Sequence, residues 1–137
     1  MRNRSLTPFR AITAVVLLAA ALGGPGAAHA QEAGDPERGR EIFLQSCQPC
    51  HDAKPGSHQV GPSLYGVLGR EVGTAAGYRR YSRALKEAKG PWTAERLDRY
   101  LSDPQAMFPE QRKRYDGLEN LQDRVDLIAY LRQVGTQ

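Results

Sequence analysis

The segment Cys47-Gln48-Pro49-Cys50-His51 constrains the fold of this 137-residue chain more than any other feature of the sequence. Two thiols separated by two residues match the vinyl groups on one edge of a haem, and each thiol can add across a vinyl to form a thioether. The histidine that follows can turn its imidazole towards the iron as an axial ligand. The motif therefore predicts one covalent haem, attached through Cys47 and Cys50 with His51 on the iron.

Two other uses of the cysteine pair match the sequence less well. A redox-active dithiol usually opens a helix that follows a strand, whereas no segment here alternates with the two-residue period of a strand. A zinc site would need further ligands, and beyond residue 30 the only other histidine is His58, with no second cysteine pair. A dithiol oxidoreductase without haem is therefore kept as an alternative function.

Residues 1–30 have the pattern of a secretory signal. Three arginines precede an apolar run at 11–22, and a stretch of small residues ends at Ala30. The apolar run would span only about 18 Å as a helix, against a hydrocarbon core of about 30 Å. We therefore expect cleavage after Ala30, a periplasmic or otherwise exported domain at 31–137, and no stable membrane span after removal of the signal.

The positive charge of the chain belongs mainly to this leader. The sequence has 19 basic and 15 acidic side chains, and residues 1–30 contain three of the basic ones and no acid. Residues 31–137 therefore carry a net charge of only +1, which does not indicate binding to nucleic acid.

Helical signals dominate residues 31–137. Asp35 followed by Pro36 predicts the start of a helix that runs to about Ser46. A short helix is predicted from Tyr81 to Ala88, ending at Gly90. Another should begin after a Thr93 cap and stop at Pro104. Residues expected on the inner faces of the first and third helices are Gly39, Ile42, Phe43, Leu97, Tyr100 and Leu101.

The last helix has the clearest apolar spacing, and Gly135 closes it. Its inner face is predicted to comprise Leu121, Val125, Leu127, Ile128, Tyr130, Leu131 and Val134. Residues 52–77 are rich in glycine and proline and lack an apolar period, so they are predicted to form a loop that wraps around something. The fold class is all-α, with three to four main helices and long loops.

At many separated points the sequence resembles the class I, mitochondrial-type cytochromes c. The matching segments are Gly34-Asp35 through Cys50-His51, Gly61 to Gly66, Gly69-Arg70, Gly77-Tyr78, Trp92, Tyr100-Leu101, Asp103-Pro104 and Asp126 to Leu131. The resemblance implies an all-α cytochrome c fold around one haem. It also implies a monomeric electron carrier, rather than an enzyme, that serves redox partner proteins.

The resemblance further implies roles for individual residues. Gly39 and Phe43 are expected to pack against Tyr130, and the Pro62 carbonyl to accept a hydrogen bond from the ring N–H of His51. His58 is expected to tether the loop rather than to bind iron. Arg70, Tyr81 and Trp92 are expected to hold a haem propionate. Tyr100 is also expected to contact the haem.

The sequence departs from this family at the iron. The position of the usual axial methionine falls on Lys113, so Lys113 as a neutral amine is the favoured sixth ligand. Met107 after a shift of the loop, no strong ligand, and Tyr115 as a phenolate remain open. An open or displaceable sixth site would favour an alternative function, in which the haem binds small ligands or shows peroxidase-like activity.

Overall fold

The computed structural model describes residues 34–109 and 115–135. The predicted leader at 1–30 lies outside these residues. Within the described part the chain is all-α, with no strand and a single isolated bridge between Glu71 and Pro91, as predicted. The helices are α1 (Pro36–Ile42), which continues as a π-helical turn (Phe43–Cys47), α2 (Arg83–Glu87), α3 (Ala94–Ser102), α4 (Pro104–Met107) and α5 (Leu121–Gln133).

Side-chain caps fix where the helices begin. Asp35 accepts hydrogen bonds from the amides of Glu37 and Arg38, and Thr93 accepts one from the amide of Arg96. Each cap satisfies a backbone donor that has no partner inside its helix. The predicted starts of α1 and α3 are therefore confirmed.

The first helix changes its winding before the cysteine motif. Helical structure extends to Cys47, but its last five residues form a π-helical turn, which the apolar spacing did not indicate. This turn buries Phe43 and Cys47 while the three residues between them stay exposed.

Pro104 was predicted only to stop a helix, but it also starts one. α3 ends at Ser102, and Pro104 then occupies the first position of α4, with Asp103 accepting a hydrogen bond from the Ala106 amide. A proline at this position loses no intrahelical bond, because the first amides of a helix have no partner.

The first and last helices cross at a glycine, as predicted. A Cβ atom on Gly39 would lie 2.0 Å from the carbonyl oxygen of Asp126, so only a glycine allows this approach. Beside it the rings of Phe43 and Tyr130 pack with centroids 5.4 Å apart. The contact between α1 and α5 at Gly39 is called the helix crossing below.

The inner face of α5 differs from the predicted one. Leu121 is 61% exposed, so its predicted place on the inner face is wrong, whereas Arg124 and Asp126 are buried. Asp126 accepts hydrogen bonds from the Asp35 amide and from Gln122. Arg124 donates to Asp98 and to the carbonyls of the turn before α5. Hydrogen bonding offsets the cost of burying these polar groups. The spacing of apolar residues in the sequence gives no information about such bonds.

The helices and the loop enclose one apolar core. Its most buried member is Leu127 of α5, and it extends through α1 and α3 to the loop residues Val67 and Val72. In the described part of the chain, no helix has the length and apolar character that crossing a membrane requires.

Candidate haem site

A cavity of about 250 Å³ lies between the end of α1, the loop, α3 and α5. All eight described residues that were predicted to hold the cofactor line it, namely Cys47, Cys50, His51, Pro62, Arg70, Tyr81, Trp92 and Tyr100. The tertiary structure therefore brings together residues that are spread over more than fifty positions of the chain.

His51 lines this cavity, and only one of its ring nitrogens has a hydrogen-bond partner among the described residues. Its Nδ1 atom lies 2.7 Å from the carbonyl oxygen of Pro62. Because a carbonyl can only accept, Nδ1 carries the hydrogen, and Nε2 keeps a lone pair suited to iron. Burial lowers the pKa of His51 below its ordinary value, and the charge of Arg70 acts in the same direction. The ring is therefore held neutral, in the protonation state that a metal ligand needs.

Gly61 is a part of this arrangement that the sequence reasoning missed. A Cβ atom on Gly61 would lie 2.2 Å from the His51 ring, and the Gly61 amide donates to the Cys50 carbonyl over 2.7 Å. The loop thus lies directly against the imidazole and brings the Pro62 carbonyl to Nδ1. The signal that could have identified Gly61 is its place directly before Pro62 in a segment that matches the family.

The two thiols are free and both cysteines line the cavity, with Cys47 buried and Cys50 exposed. The amides of Cys50 and His51 both donate to the Cys47 carbonyl, so the motif forms one tight turn. Burial raises the pKa of Cys47 to about 11, which keeps its thiol protonated. Among the described residues, no group of three or more acidic, histidine or cysteine side chains is arranged to hold a metal ion.

Arg70 supplies a positive charge that no described carboxylate neutralises. Its guanidinium donates to the carbonyls of Tyr65 and Ser63 over 3.0 and 2.9 Å. Burial lowers the pKa of Arg70, because the charged form is partly removed from water. Tyr81, whose hydroxyl accepts from the Ala75 amide, lies close enough to interact with this charge. A half-buried cation of this kind is suited to an anionic group such as a carboxylate.

Aromatic and aliphatic side chains form the other wall. Trp92, Tyr100 and Phe108 pack with ring centroids 5.2 to 6.1 Å apart, and the first two line the cavity. The aliphatic lining residues include Leu64, Val67, Leu97, Leu101, Leu127 and Leu131. This wall suits a large apolar group, which an isolated dithiol would not require.

His58 lies outside the cavity lining and holds the loop together. Its Nε2 atom is 2.8 Å from the Ala76 carbonyl, so it donates there, and Nδ1 accepts from the Ser63 amide over 3.0 Å. Both ring nitrogens are used, which agrees with the expected tethering role.

The residues proposed for the sixth ligand are placed differently. Lys113 lies outside the described residues. Met107 packs at the edge of the core and is not among the described residues that line the cavity. Tyr115 does line the cavity, and its buried hydroxyl has no hydrogen-bond partner among the described residues. Burial raises its pKa, which disfavours a phenolate.

These features fit a haem. The cavity offers a neutral imidazole nitrogen, two free thiols in one turn and an apolar wall. It also offers an arginine and a buried tyrosine hydroxyl for which the described residues supply neither a paired carboxylate nor a hydrogen-bond partner. The imidazole nitrogen suits the iron of a c-type haem, the thiols its vinyl carbons, the arginine a propionate and the apolar wall the macrocycle.

Comparisons with known proteins lead to the same family. The sequence model of the family described as cytochrome c matches residues 36–135. The chain is 46% identical over 102 residues to a cytochrome c of Chlamydomonas reinhardtii, covering 74% of this chain and 90% of that protein.

Bacterial relatives are similarly close. The chain is 42% identical over 98 residues to a cytochrome c2 of Rhodopila globiformis, covering 72% of this chain and 92% of the relative. It is also 44% identical over 98 residues to the cytochrome c-type cyt cy of Rhodobacter capsulatus, covering 72% of this chain and 48% of that longer protein. The chain therefore belongs to the cytochrome c family, and it is an electron-transfer haem protein rather than an enzyme.

Proposed function

We propose that this chain is an exported, periplasmic electron carrier with one covalent haem, in which His51 is the proximal and Lys113 the distal ligand of the iron. The observation that supports this most strongly is the hydrogen bond of 2.7 Å between His51 Nδ1 and the Pro62 carbonyl. It leaves the lone pair of Nε2 available, and His51 lines the same largely apolar cavity as both cysteines.

A bound haem supplies reversible one-electron chemistry at its iron. The chain supplies the environment for that chemistry. His51 is held in one tautomer and one orientation by Pro62, and Arg70 is positioned to bind a propionate. The leucine-rich wall presents apolar side chains to whatever occupies the cavity. Because Cys50 is exposed, the thioether edge should lie where a redox partner can approach it.

Lys113 must lose its proton before it can ligate iron. At pH 7 this costs about 4.6 kcal/mol from an unperturbed pKa of about 10.4. Metals drive comparable deprotonations of other ligands, and the neighbouring Arg112 and Arg114 lower the proton affinity of the amine by repulsion. A nitrogen ligand in place of a thioether favours ferric iron, so we expect a lower reduction potential than in methionine-ligated relatives.

Export is supported by the sequence of residues 1–30, and it has its own test. The mature protein should begin at Gln31, which the intact mass of the periplasmic fraction would report. With a net charge of only +1 on residues 31–137, docking to redox partners should be weakly steered and only mildly sensitive to salt.

Two experiments test the haem and its sixth ligand. Protein produced with the haem-maturation machinery should keep one haem mass under denaturing conditions, and a bare polypeptide mass would contradict the proposal.

Ferric protein near pH 7 should be low-spin, lack the far-red band of methionine ligation and release the amine in acid. Lys113→Ala should become high-spin or water-ligated. The matched Met107→Leu variant should keep the parent spectrum, and a far-red band lost only in Met107→Leu would assign Met107 instead.

A further inference from the structure

Two of the residues expected to hold a haem propionate, Arg70 and Trp92, belong to segments that are joined through their backbones. The Trp92 amide donates to the Arg70 carbonyl, and the Gly69 amide donates to the Trp92 carbonyl, both over 2.9 Å. The Val72 amide donates to the Gly90 carbonyl over 3.2 Å. Because both side chains line the cavity, the placement of Arg70 there depends on where the segment of Trp92 lies.

Arg96 anchors the turn that leads into this segment. Its Nη1 atom donates to the Lys89 carbonyl over 2.6 Å and to the Gly90 carbonyl over 3.1 Å, and it lies 3.4 Å from the Pro91 carbonyl. One guanidinium thus holds three successive carbonyls, and hydrogen bonds from a charged donor are stronger than those from a neutral one. Residues 89–91 are called the anchored turn below.

The same guanidinium lies against the ring of Trp92. Its central carbon is 5.6 Å from the ring centroid, which is within the range of a cation–π contact. The backbone of Arg96 is fixed as well, because its amide donates to the Thr93 hydroxyl at the start of α3. Arg96 is not among the described residues that line the cavity, so it reaches the cavity through the buried Trp92 ring.

The charge of Arg96 is available to act on this side of the cavity. Its hydrogen-bond acceptors are neutral carbonyls, and no described carboxylate forms an ion pair with it. Arg70 likewise binds carbonyls only. Positive charge without an acidic partner favours the ionised form of a nearby carboxyl group.

We propose that Arg96 is a positioning residue for the propionate side of the haem site. By binding the anchored turn and the Trp92 ring it fixes Trp92, and through the backbone hydrogen bonds it fixes Arg70. Its charge also helps to keep a propionate ionised. This inference rests on the proposed haem attachment but not on the identity of the sixth ligand.

The test measures the reduction potential of the holoprotein as a function of pH. An ionising propionate makes the potential fall as the pH rises through its pKa, because the anion stabilises ferric iron. Arg96→Gln removes the cation, so the propionate should keep its proton to higher pH, and the fall should move up by about half a pH unit.

Two further variants separate the charge of Arg96 from other effects. Arg96→Lys keeps the charge and should show the parent pH profile. The matched control is Arg99→Gln, which removes an exposed charge from the same helix and should also show the parent profile. Equal shifts in Arg96→Gln and Arg99→Gln would overturn the inference, because the effect would then follow from net charge. A shift in Arg96→Lys as large as that in Arg96→Gln would do the same.

A second readout follows Trp92 itself. The sequence contains a single tryptophan, so its indole N–H gives one resonance in the spectrum of isotope-labelled ferrous holoprotein. Both Arg96→Gln and Arg96→Lys remove the planar guanidinium that spans the anchored turn. The resonance should therefore shift, and its hydrogen should exchange with water about tenfold faster. Arg99→Gln should leave the resonance and the exchange rate unchanged.

The two readouts distinguish positioning from simple stabilisation of the turn. Lower stability of Arg96→Gln with an unchanged pH profile and an unchanged indole resonance would overturn the inference. If Arg96→Gln does not fold, Arg96→Lys decides, because an indole resonance identical to that of the parent would show that Arg96 does not hold Trp92. Either result in a protein that carries one haem mass and undergoes reversible oxidation would leave the proposed electron-carrier function intact.

Discussion

The helix crossing and the haem cavity differ in whether their polar groups find partners within the protein. At the crossing the packing is complete, since the Gly39 backbone lies on the Asp126 carbonyl and the Asp126 side chain already accepts bonds from Asp35 and Gln122. Around the cavity, Arg70 lacks a paired carboxylate and the Tyr115 hydroxyl lacks a partner among the described residues. The comparison teaches that the crossing is specified by the chain alone, whereas the cavity is specified by the chain together with its cofactor.

Removing the haem attachment should have the largest effect. In a Cys47→Ala/Cys50→Ala variant we expect no covalent haem and a loss of more than about 5 kcal/mol of unfolding free energy, the whole stability of many small domains. The physical reason is that the cavity wall would have nothing to pack against. Mass under denaturing conditions and thermal unfolding followed by far-UV circular dichroism measure both effects.

Ser46→Ala is the matched control for this variant, because Ser46 also lines the cavity but carries no thiol. It should keep the haem and the parent melting temperature. Unchanged cooperative unfolding of the double-cysteine variant would break the comparison, since the cavity would then be stable without its cofactor.

Gly39→Ala should have the next largest effect, confined to the helix crossing. The added Cβ would lie 2.0 Å from backbone, so the helices must separate, which should cost about 3 kcal/mol in chemical denaturation. Gly56→Ala is the control, because Gly56 has no atom within 4 Å of the added carbon, and its only penalty is the strain of an alanine at a positive φ (65°), which the helical Gly39 does not have. It should cost only about 1 kcal/mol. Equal costs would show that the crossing is not tightly packed.

Arg124→Leu tests the connection between the two regions. The guanidinium joins Asp98 of α3 to α5 and to the segment that carries Tyr115, and its removal leaves these acceptors unpaired. We expect a loss of about 2 kcal/mol in unfolding free energy. Arg83→Ala, which breaks an exposed ion pair with Glu87, should be indistinguishable from the parent. A negligible effect of Arg124→Leu would mean that the regions are coupled elsewhere.

The smallest expected effect is a dependence of stability on pH, which comes from Asp52 at the start of the loop. Asp52 accepts hydrogen bonds from the Ser57 hydroxyl and the Ala53 amide, and these bonds lower its pKa below the ordinary value of 3.8. A carboxylate with a lowered pKa in the folded state contributes stability above pH 3.8 and loses it as pH falls through the folded value.

Asp52→Asn should therefore melt slightly below the parent at pH 5, and the difference should vanish in stronger acid. Melting temperatures of both proteins from pH 5 down to pH 2 would show this convergence. A difference that grows in acid would contradict the assignment of the hydrogen bonds.

Local signals in the sequence predicted several parts of the fold. The caps at Asp35 and Thr93 were confirmed, because they depend on contacts within one turn. The inner face of α1 was also confirmed, because helical spacing alone places its residues on one side of the helix. Leu121 was assigned to the wrong side of α5. The spacing of apolar residues could not show that Arg124 and Asp126 are buried, since it does not reveal hydrogen-bond partners. Arg124 donates to Asp98 of α3 and to the Leu118 and Glu119 carbonyls, and Asp126 accepts from the Asp35 amide.

The sequence by itself determined the chemistry of this protein, because the spacing of Cys47, Cys50 and His51 is fixed by the covalent chain. It does not depend on how the other residues fold. Only the tertiary structure decided which ring nitrogen of His51 is free and which hydroxyl faces the cavity. Those outcomes depend on Pro62 and Tyr115, which lie 11 and 64 positions from His51 in the chain. The physical reason is that a lone pair or a hydroxyl acquires its role from the groups placed around it, and folding alone places them.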